Sequence, residues 1–420
     1  VKLTAVPAEG WEFVKWTGVE SLNNFEIEVN ITETSNIIAL FRNNCNVKNY
    51  NNKSPKTSYR PLDINPFFNY FKNTEFDSDD MTLYATNVKF NSVDFRVVKV
   101  ISNHLDENKG FIQITDLENN ELFSFRSPQN FTAKLLTVDI DNNGFEDVVL
   151  IGTGIDTHPY SGDSNFILYN YENSYELKIL DPEVGYFHAG AAGDVNNDGW
   201  IDILPIRRNV GNGYSYLYLN NGDKTFRKVP FGSFDLYQNT LHYEFYDINN
   251  DGYLDLFFGG KEYVENDEDN NLPGITRVSF GGESGIDPNI YLEIPSVEYR
   301  YTLITGFNFY DLNNDGQAEV IISRSGPPGP DYYSTLAMQI LEFNGSTFKT
   351  SSLIKGPEGV GWAFKTYLDD VDGDCLIDII PWGPDINDDK RDYNPRHNNS
   401  YGLYLKSNSD LLFETSFKDF

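Results

Sequence analysis

Five short acidic loops recur along this 420-residue chain, and their side chains are of the types that bind a metal ion. Each has an oxygen-bearing side chain at its first, third, fifth and ninth positions, and four have glycine at the sixth. Hard cations such as Ca²⁺ take about six to eight oxygen ligands from flexible loops, and glycine permits the sharp bend that brings those ligands together. The loops are DIDNNGFED from Asp139, DVNNDGWID from Asp194, DINNDGYLD from Asp247, DLNNDGQAE from Asp311 and DVDGDCLID from Asp370.

Each loop supplies four side chains and the backbone carbonyl of its seventh residue as predicted ligands. The carbonyls are those of Phe145, Trp200, Tyr253, Gln317 and Leu376. The side chains are Asp139, Asp141, Asn143 and Asp147; Asp194, Asn196, Asp198 and Asp202; Asp247, Asn249, Asp251 and Asp255; Asp311, Asn313, Asp315 and Glu319; and Asp370, Asp372, Asp374 and Asp378. The fourth loop ends on the longer Glu319, and in the fifth Cys375 replaces the glycine.

We expect up to five structural calcium ions in these loops. Mg²⁺ fits less well, because it demands octahedral geometry and keeps several waters. The alternative is a set of metal-free Asx turns, which Asp and Asn form readily. Three uncompensated carboxylates in one loop would repel one another, so a bound cation explains the pattern better.

Apolar strands flank every acidic loop, such as KLLTVD before Asp139 and VVLIG from Val148. Two more alternating strands follow in each unit, and the loop starts lie 53 to 64 residues apart. Internal periods of this length are typical of propellers and solenoids, and four antiparallel strands form one propeller blade. ATNVKFNSVDFRVVKV from Ala85 predicts a first unit without an acidic loop. An EF-hand has a bidentate Glu at the twelfth position of its loop. Here that position holds Leu150, Pro205, Phe258, Ile322 and Pro381, so an EF-hand fits these loops less well.

Residues 81–420 therefore resemble the FG-GAP/VCBS repeat family, named for the integrin α-subunit propeller and for bacterial multi-repeat proteins. The resemblance rests on the acidic loops, their period and their flanking strands together. It implies an all-β fold, a calcium-bound β-propeller displayed outside the cell, usually with seven blades. Six units can be counted, and a seventh would need strands from residues 45–80.

The N-terminal region differs from the repeats. LTAVPAEGWEFVKWTG at Leu3–Gly18 and NIIALF at 36–41 resemble the InlB B-repeat, a small β module of bacterial surface proteins. About three strands are expected in residues 1–42, with Trp11, Phe13 and Trp16 in their core. A sugar-binding face on the two tryptophans is the alternative. Residues 43–80, rich in Asn, Lys, Ser and Pro, read as a linker and lead-in.

The charge of the chain excludes several partners. Its 63 acidic and 32 basic residues give a formal net charge of −31. Nucleic acids and anionic membranes both require a basic surface, so neither is an expected partner. No apolar run approaches the length of a membrane span. Cys45 and Cys375 lack CxxC spacing, and whether they form a disulfide stays open.

The candidate ligand-binding residues lie outside the acidic loops. Strands entering the second and third loops carry Tyr186, His188 and His242, which we expect near the channel mouth. A long segment, WGPDINDDKRDYNPRHNN at 382–399, carries Trp382, Arg391, Tyr393 and Arg396, residue types that suit sugar stacking and hydroxyl recognition.

The leading prediction is an exported bacterial surface or secreted protein that binds glycans or a protein partner. The alternatives are a polysaccharide-degrading lyase or hydrolase on a propeller scaffold, and a structural subunit of a larger cell-surface assembly. No GxSxG, P-loop, HExxH or Rossmann motif is present, so no catalytic residue is assigned.

Overall fold

The computed structural model describes all of the repeat units at least in part, together with short N-terminal stretches. The described residues are 2–7, 11–17, 25–28, 37–43, 56–57, 82–89, 95–102, 110–116, 120–129, 132–155, 161–172, 174–207, 214–233, 240–262, 274–313, 315–326, 335–356, 365–369, 376–382, 402–406 and 414–418. Cys45 and Cys375 lie outside these ranges.

The N-terminal region contains two small antiparallel sheets. They are formed by β1 (Lys2–Thr4) with β3 (Glu26–Glu28), and by β2 (Trp11–Thr17) with β4 (Ile38–Asn43). Trp16 is 5% exposed and packs with Ala5 and Ile27, and Phe13 lies half-buried against them. The described residues of this region thus form four strands where the sequence predicted about three, and the side chain of Trp11 lies outside the described part.

Six four-stranded antiparallel sheets follow in the described part of the chain, each built from four consecutive strands. The first three comprise β5 (Thr82–Lys89), β6 (Phe95–Ser102), β7 (Phe111–Thr115) and β8 (Glu121–Arg126); β9 (Thr132–Val138), β10 (Asp147–Gly152), β11 (Asp163–Tyr171) and β12 (Ser174–Gly185); and β13 (Phe187–Gly193), β14 (Asp202–Arg207), β15 (Tyr214–Asn220) and β16 (Phe226–Ser233). The last three comprise β17 (Thr240–Tyr246), β18 (Asp255–Gly260), β19 (Arg277–Ser279) and β20 (Leu292–Glu293); β21 (Leu303–Tyr310), β22 (Glu319–Ser325), β23 (Ala337–Phe343) and β24 (Phe348–Lys355); and β25 (Lys365–Asp369), β26 (Asp378–Trp382), β27 (Gly402–Lys406) and β28 (Glu414–Lys418).

The first strand of each sheet packs beside the first strand of the next, from β5 through β9, β13, β17 and β21 to β25. The first strands are therefore innermost, and the sheets are the blades of a β-propeller. The predicted all-β propeller is confirmed, and the unit without an acidic loop forms the complete first blade. A short 3₁₀ helix covers Tyr299–Tyr301, and within the described ranges no helix is long and apolar enough to cross a membrane.

Hydrophobic cores lie between neighbouring blades. Between the fourth and fifth blades, Tyr246 and Phe309 stack with their ring centroids 4.4 Å apart, and Phe257 packs in the same cluster. Every residue of β18 is buried, because this second strand is covered on both faces. Burial on both faces explains why the second strands read as continuous apolar runs and not as alternating patterns.

Lys56 and Thr57, from the predicted linker, contact the inner strands. Thr57 forms an antiparallel bridge with Gly193, at the end of β13. Its hydroxyl shares its proton between two carbonyl oxygens, that of Ala192 at 3.2 Å and that of Phe245 on β17 at 3.1 Å. These two residues thus join the third and fourth blades instead of adding a strand to a sheet.

Candidate metal centres

In the first four acidic loops, the first residue organises the turn around its own carboxylate. In the second loop, Asp194 accepts hydrogen bonds from the backbone amides of Asp198, at 3.0 Å, and Gly199, at 2.8 Å. The same two bonds, from the fifth and sixth residues, are made to Asp139, Asp247 and Asp311. The first four loops therefore share one turn conformation, closed by the same two hydrogen bonds.

Glycine at the sixth position is required by the backbone. Gly144, Gly199 and Gly252 have φ of +90°, where residues with a side chain are strained. A Cβ placed on any of these three would meet nothing within 4 Å, so conformation and not space selects glycine. Asn142 and Asn197, at the fourth position, also have positive φ (55° for both), which Asn tolerates better than most residues.

The ninth-position carboxylate fastens the loop to the sheet. Asp202 accepts a hydrogen bond at 3.2 Å from the amide of Val195 in the loop, and one at 2.9 Å from the amide of Asn220 at the end of the third strand. Asp147 and Asp255 repeat both contacts. All three aspartates are fully buried. Each carboxylate oxygen can accept more than one hydrogen bond, so these contacts leave capacity for a cation.

Acidic side chains converge in the first and fourth loops. Carboxylate oxygens of Asp139, Asp141 and Asp147 lie within 4.8 Å of one another, as do those of Asp311, Asp315 and Glu319. Predicted ligands at the first and ninth positions are thus brought together as the sequence spacing indicated.

Burial makes these carboxylates costly to ionise. Desolvation first, and the neighbouring loop aspartates second, raise the pKa of Asp147 to about 8 and of Asp202 and Asp255 to about 7. The pKa of Glu319 rises to about 8 for the same reasons. A neighbouring positive charge lowers the pKa of such a buried group again and makes it fully charged at neutral pH. The residues present therefore fit a hard divalent cation.

Asx-type hydrogen bonds are also present. The Asn196 side-chain oxygen accepts from the amide of Asp198 at 3.0 Å, and Asp198 in turn accepts from the amide of Trp200 at 2.9 Å. Such bonds satisfy polar atoms but bring no positive charge. They shape the loop, and they leave the repulsion between its carboxylates unrelieved.

The first loop has a cation of its own. The Lys224 ammonium nitrogen lies 3.0 Å from an Asp141 oxygen and hydrogen-bonds to the Tyr171 hydroxyl. It also lies over two aromatic rings, 4.9 Å from the centroid of Tyr169 and 4.5 Å from that of Tyr171. Lys56 donates a hydrogen bond to the side-chain oxygen of Asn142 in the same loop. Among the described residues, no Lys or Arg forms an ion pair with a carboxylate of the second or third loop.

Hydrogen bonds also join one loop to the next, which sequence reasoning missed. The side-chain amide of Asn142 donates to the carbonyl of Gly199 at 3.0 Å, and that of Asn197 donates to the carbonyl of Gly252 at 2.9 Å. Asn250 continues the series to the Gln317 side chain at 3.1 Å. The signal was the Asn at the fourth position of four loops, an even position that the ligand pattern leaves unused.

The fifth loop is described only at its end. Asp378 is fully buried at the start of β26, like the ninth-position residues of the other loops. Leu376 precedes it, and the predicted ligands Asp370, Asp372 and Asp374 lie outside the described residues. The fifth site stays a prediction.

The three residues predicted near the channel mouth, Tyr186, His188 and His242, lie near one another. The rings of Tyr186 and His188 have centroids 6.1 Å apart, and His188 acts electrostatically on His242. Burial, with Lys134 and His188, lowers the pKa of His242 to about 3, so this imidazole is neutral at physiological pH. Trp382 ends β26, while Arg391, Tyr393 and Arg396 fall outside the described part of the chain.

Comparison with known proteins identifies one repeat. Residues 194–258 match the family model of the FG-GAP-like repeat. This repeat begins at the second acidic loop and contains the whole of the third. The resemblance of residues 1–42 to the InlB B-repeat stays a prediction.

Two solved structures are similar at low identity. A crystal structure of the V. cholerae biofilm matrix protein Bap1 matches with a TM-score of 0.40 and 14% identity, over 69% of this chain and 41% of that chain. The Pseudomonas aeruginosa PilY1 C-terminal domain matches with a TM-score of 0.35 and 13% identity, over 78% of this chain and 70% of that chain. This chain thus spans less than half the length of the Bap1 chain. No curated protein sequence matches it.

Proposed function

We propose that the chain is an exported, calcium-stabilised β-propeller that binds a glycan or protein partner through the face opposite its acidic loops. The observation that carries the proposal is the separation of two kinds of connection between strands. Acidic loops join the first strand of a blade to the second, as residues 194–201 join β13 to β14. Successive strands are antiparallel, so the connections from second to third strands lie at the opposite face.

Long connections are concentrated at that opposite face. Between second and third strands run residues 153–162, 261–276, 326–336 and 383–401. Propellers and barrels commonly carry binding residues on such loops, because a rigid scaffold holds the loop ends in place. The last of these connections holds Arg391, Tyr393 and Arg396, the types predicted to recognise sugars.

Calcium is assigned a structural role in this proposal. The buried ninth-position carboxylates and the converging oxygens fit a hard cation, and Ca²⁺ tolerates the irregular geometry of a short loop better than Mg²⁺. When bound, the ion supplies positive charge to carboxylates that burial would otherwise neutralise. Sites of this type stabilise the blades and leave the opposite face free for a partner.

A surface location is consistent with the charge and with the N-terminal module. With a net charge of −31, a glycan or a protein is a better partner than an anionic membrane or a nucleic acid. The small β module before the propeller suits a stalk or a joint within a larger surface assembly.

Binding of the purified chain to a glycan array and to candidate surface proteins tests the proposal. In a first variant, a short Gly-Ser linker replaces residues 263–273; the amide of Gly274 already donates to the Lys261 carbonyl at 2.6 Å, so the loop ends meet. In a second, Asn197→Ala alters the metal-loop face. Binding should weaken in the first variant and persist in the second. Loss of binding only in the second would contradict the proposal, as would no binding of any glycan or protein by the calcium-loaded chain.

A further inference from the structure

A cavity of about 580 Å³ is lined by residues of the fourth blade and of the connection that leads from it to the fifth. Its walls include Glu262 after β18, Thr276 before β19, and Tyr299 and Thr302 before β21. These positions are the strand ends opposite the acidic loops, so the cavity lies on the proposed binding face. Its volume is within the range of about 300–1,000 Å³ typical of small-molecule sites.

A buried ion pair holds one carboxylate of the cavity in a fixed orientation. Arg324 is fully buried, and its two terminal nitrogens lie 2.8 and 3.1 Å from the Glu262 oxygens. Its third nitrogen donates to Gln339 at 2.8 Å, and Thr276 donates to Glu262 at 2.5 Å. Buried pairs gain little net stability, because desolvation of the two charges offsets their attraction. The pair is therefore better explained by its effect on orientation than by its effect on stability: it holds the Glu262 carboxylate in place at the cavity.

The charges of the cavity argue against an ionic ligand. Among its described lining residues are two carboxylates, Glu262 and Glu293, and no basic side chain, so an anion would be repelled. Arg324 offsets the charge of Glu262. The remaining carboxylate, Glu293, is exposed, and an ion pair at such a site contributes only about 0–1 kcal/mol. A cation would therefore gain little from charge alone.

The remaining chemistry combines hydroxyl groups with exposed apolar surface. Thr276, Ser296, Tyr299 and Thr302 bring hydroxyl oxygens that can accept hydrogen bonds, and two of these hydroxyls already donate, Thr276 to Glu262 and Thr302 to the Tyr299 carbonyl oxygen. A sugar hydroxyl can donate to such oxygens, whereas an apolar ligand would displace water from them without replacing its hydrogen bonds, which costs free energy. Tyr299 is 42% exposed and Ile275 is 39% exposed, and both offer apolar area against which a sugar ring can lie.

We propose that this cavity binds an uncharged oligosaccharide. The carboxylate oxygens of Glu262 and Glu293 would accept hydrogen bonds from ring hydroxyls, and the Tyr299 ring would lie against an apolar face of a sugar. The inference rests on the proposed partner-binding function and narrows it to a ligand class and a site.

A glycan array probed with the calcium-loaded chain tests the ligand class, and calorimetry then measures affinity for the neutral oligosaccharide that binds most strongly. Tyr299→Ala should weaken that affinity about tenfold, because the sugar loses its stacking surface. Glu293→Gln should weaken it less, since the amide keeps one acceptor oxygen. Phe111→Ala is the matched control, an aromatic residue 45% exposed in the first blade, and should leave affinity unchanged. Melting curves of all variants establish that they are folded.

Three outcomes would overturn the inference. The first is an array signal confined to acidic glycans, and the second is tight binding of trilysine at this site. The third is an affinity of the Tyr299→Ala variant equal to that of the parent chain. In the last case glycan binding itself persists, so the proposed function stands and only the site is wrong. A chain that binds a protein partner but no neutral glycan likewise separates the two.

Discussion

The first acidic loop and the second and third share a motif but differ in how their charge is offset. Lys224 lies 3.0 Å from Asp141 in the first loop, and Lys56 hydrogen-bonds to Asn142 beside it. No such lysine forms an ion pair with the second or third loop among the described residues. A loop of this kind needs a neighbouring positive charge, and either a bound ion or a side chain from another blade can supply it. The first loop should therefore depend less on calcium than the second and third.

Removal of calcium should have the largest effect. We expect a chelator to lower the melting temperature by about 10 °C or more, because several ions bind only the folded state. Asp247→Ala should abolish more of the calcium-dependent gain in melting temperature than Asp139→Ala. Differential scanning fluorimetry with and without calcium measures both. An unchanged melting curve after chelation would sink the calcium assignment, and equal losses in the two variants would break the comparison.

The pH dependence of the calcium-free chain should come next. Burial raises the pKa of Asp147 and Glu319 to about 8, above their unfolded values of 3.8 and 4.5, so the folded state holds more protons between these limits. The free energy of unfolding should therefore rise as pH falls from about 8 towards 5, and should be lowest above pH 8. Calcium should flatten this dependence, because it favours the charged carboxylates.

Melting temperatures at several pH values, with and without calcium, test this. Asp147→Asn should reduce the slope of the calcium-free chain from about pH 8 downwards and Asp255→Asn mainly below about pH 7, because burial raises the pKa of Asp147 to about 8 and that of Asp255 to about 7. A calcium-free chain that becomes less stable between pH 8 and 6 would contradict the expectation.

Lys224→Met should raise the calcium affinity of the first loop about tenfold, because the ammonium no longer repels the ion. Calorimetric titration measures this. Lys228→Met is the matched control: its ammonium lies 4.2 Å from the Tyr216 ring centroid and pairs with Asp181, away from the acidic loops. The gain should vanish in an Asp139→Ala background. An affinity unchanged by Lys224→Met would show that the lysine does not compete with the ion.

The smallest effect should come from the bonds between loops. Asn197→Ala removes the hydrogen bond to the Gly252 carbonyl and should cost about 1 kcal/mol of unfolding free energy. Asn142→Ala should cost more, since Asn142 also accepts from Lys56. Chemical denaturation measures both. Equal costs would show that the hydrogen bond from Lys56 to Asn142 does not stabilise the first loop.

The blades could be predicted from the sequence because the residue patterns that indicate them are local. Residues such as Asp194 and Asp202 are eight positions apart, and the strands on either side of them alternate or run apolar within a few residues. The acidic loops therefore predicted both their own shape and the propeller.

Contacts between distant residues could not be reached in this way. Lys224 and Asp141 belong to different blades, and nothing in the residues around Lys224 indicates that it lies over Tyr169. Arg324 and Glu262 are likewise on neighbouring blades, so the buried pair at the cavity follows only from the arrangement of the sheets. Periodicity predicts an element; it does not predict which side chains meet across two elements.

The contact made by Thr57 sets an order of events during synthesis. Its hydroxyl bonds to Phe245, 188 residues later in the chain, and Gly193 lies close to this segment: a Cβ there would lie 2.5 Å from the Leu254 side chain and 3.2 Å from the Lys56 carbonyl oxygen. At about 5–20 residues per second, the N-terminal segment would wait on the order of ten seconds or more for its partner strand. The residues that leave the ribosome early in this region are thus fastened late, after the inner strands of two later blades exist to receive them.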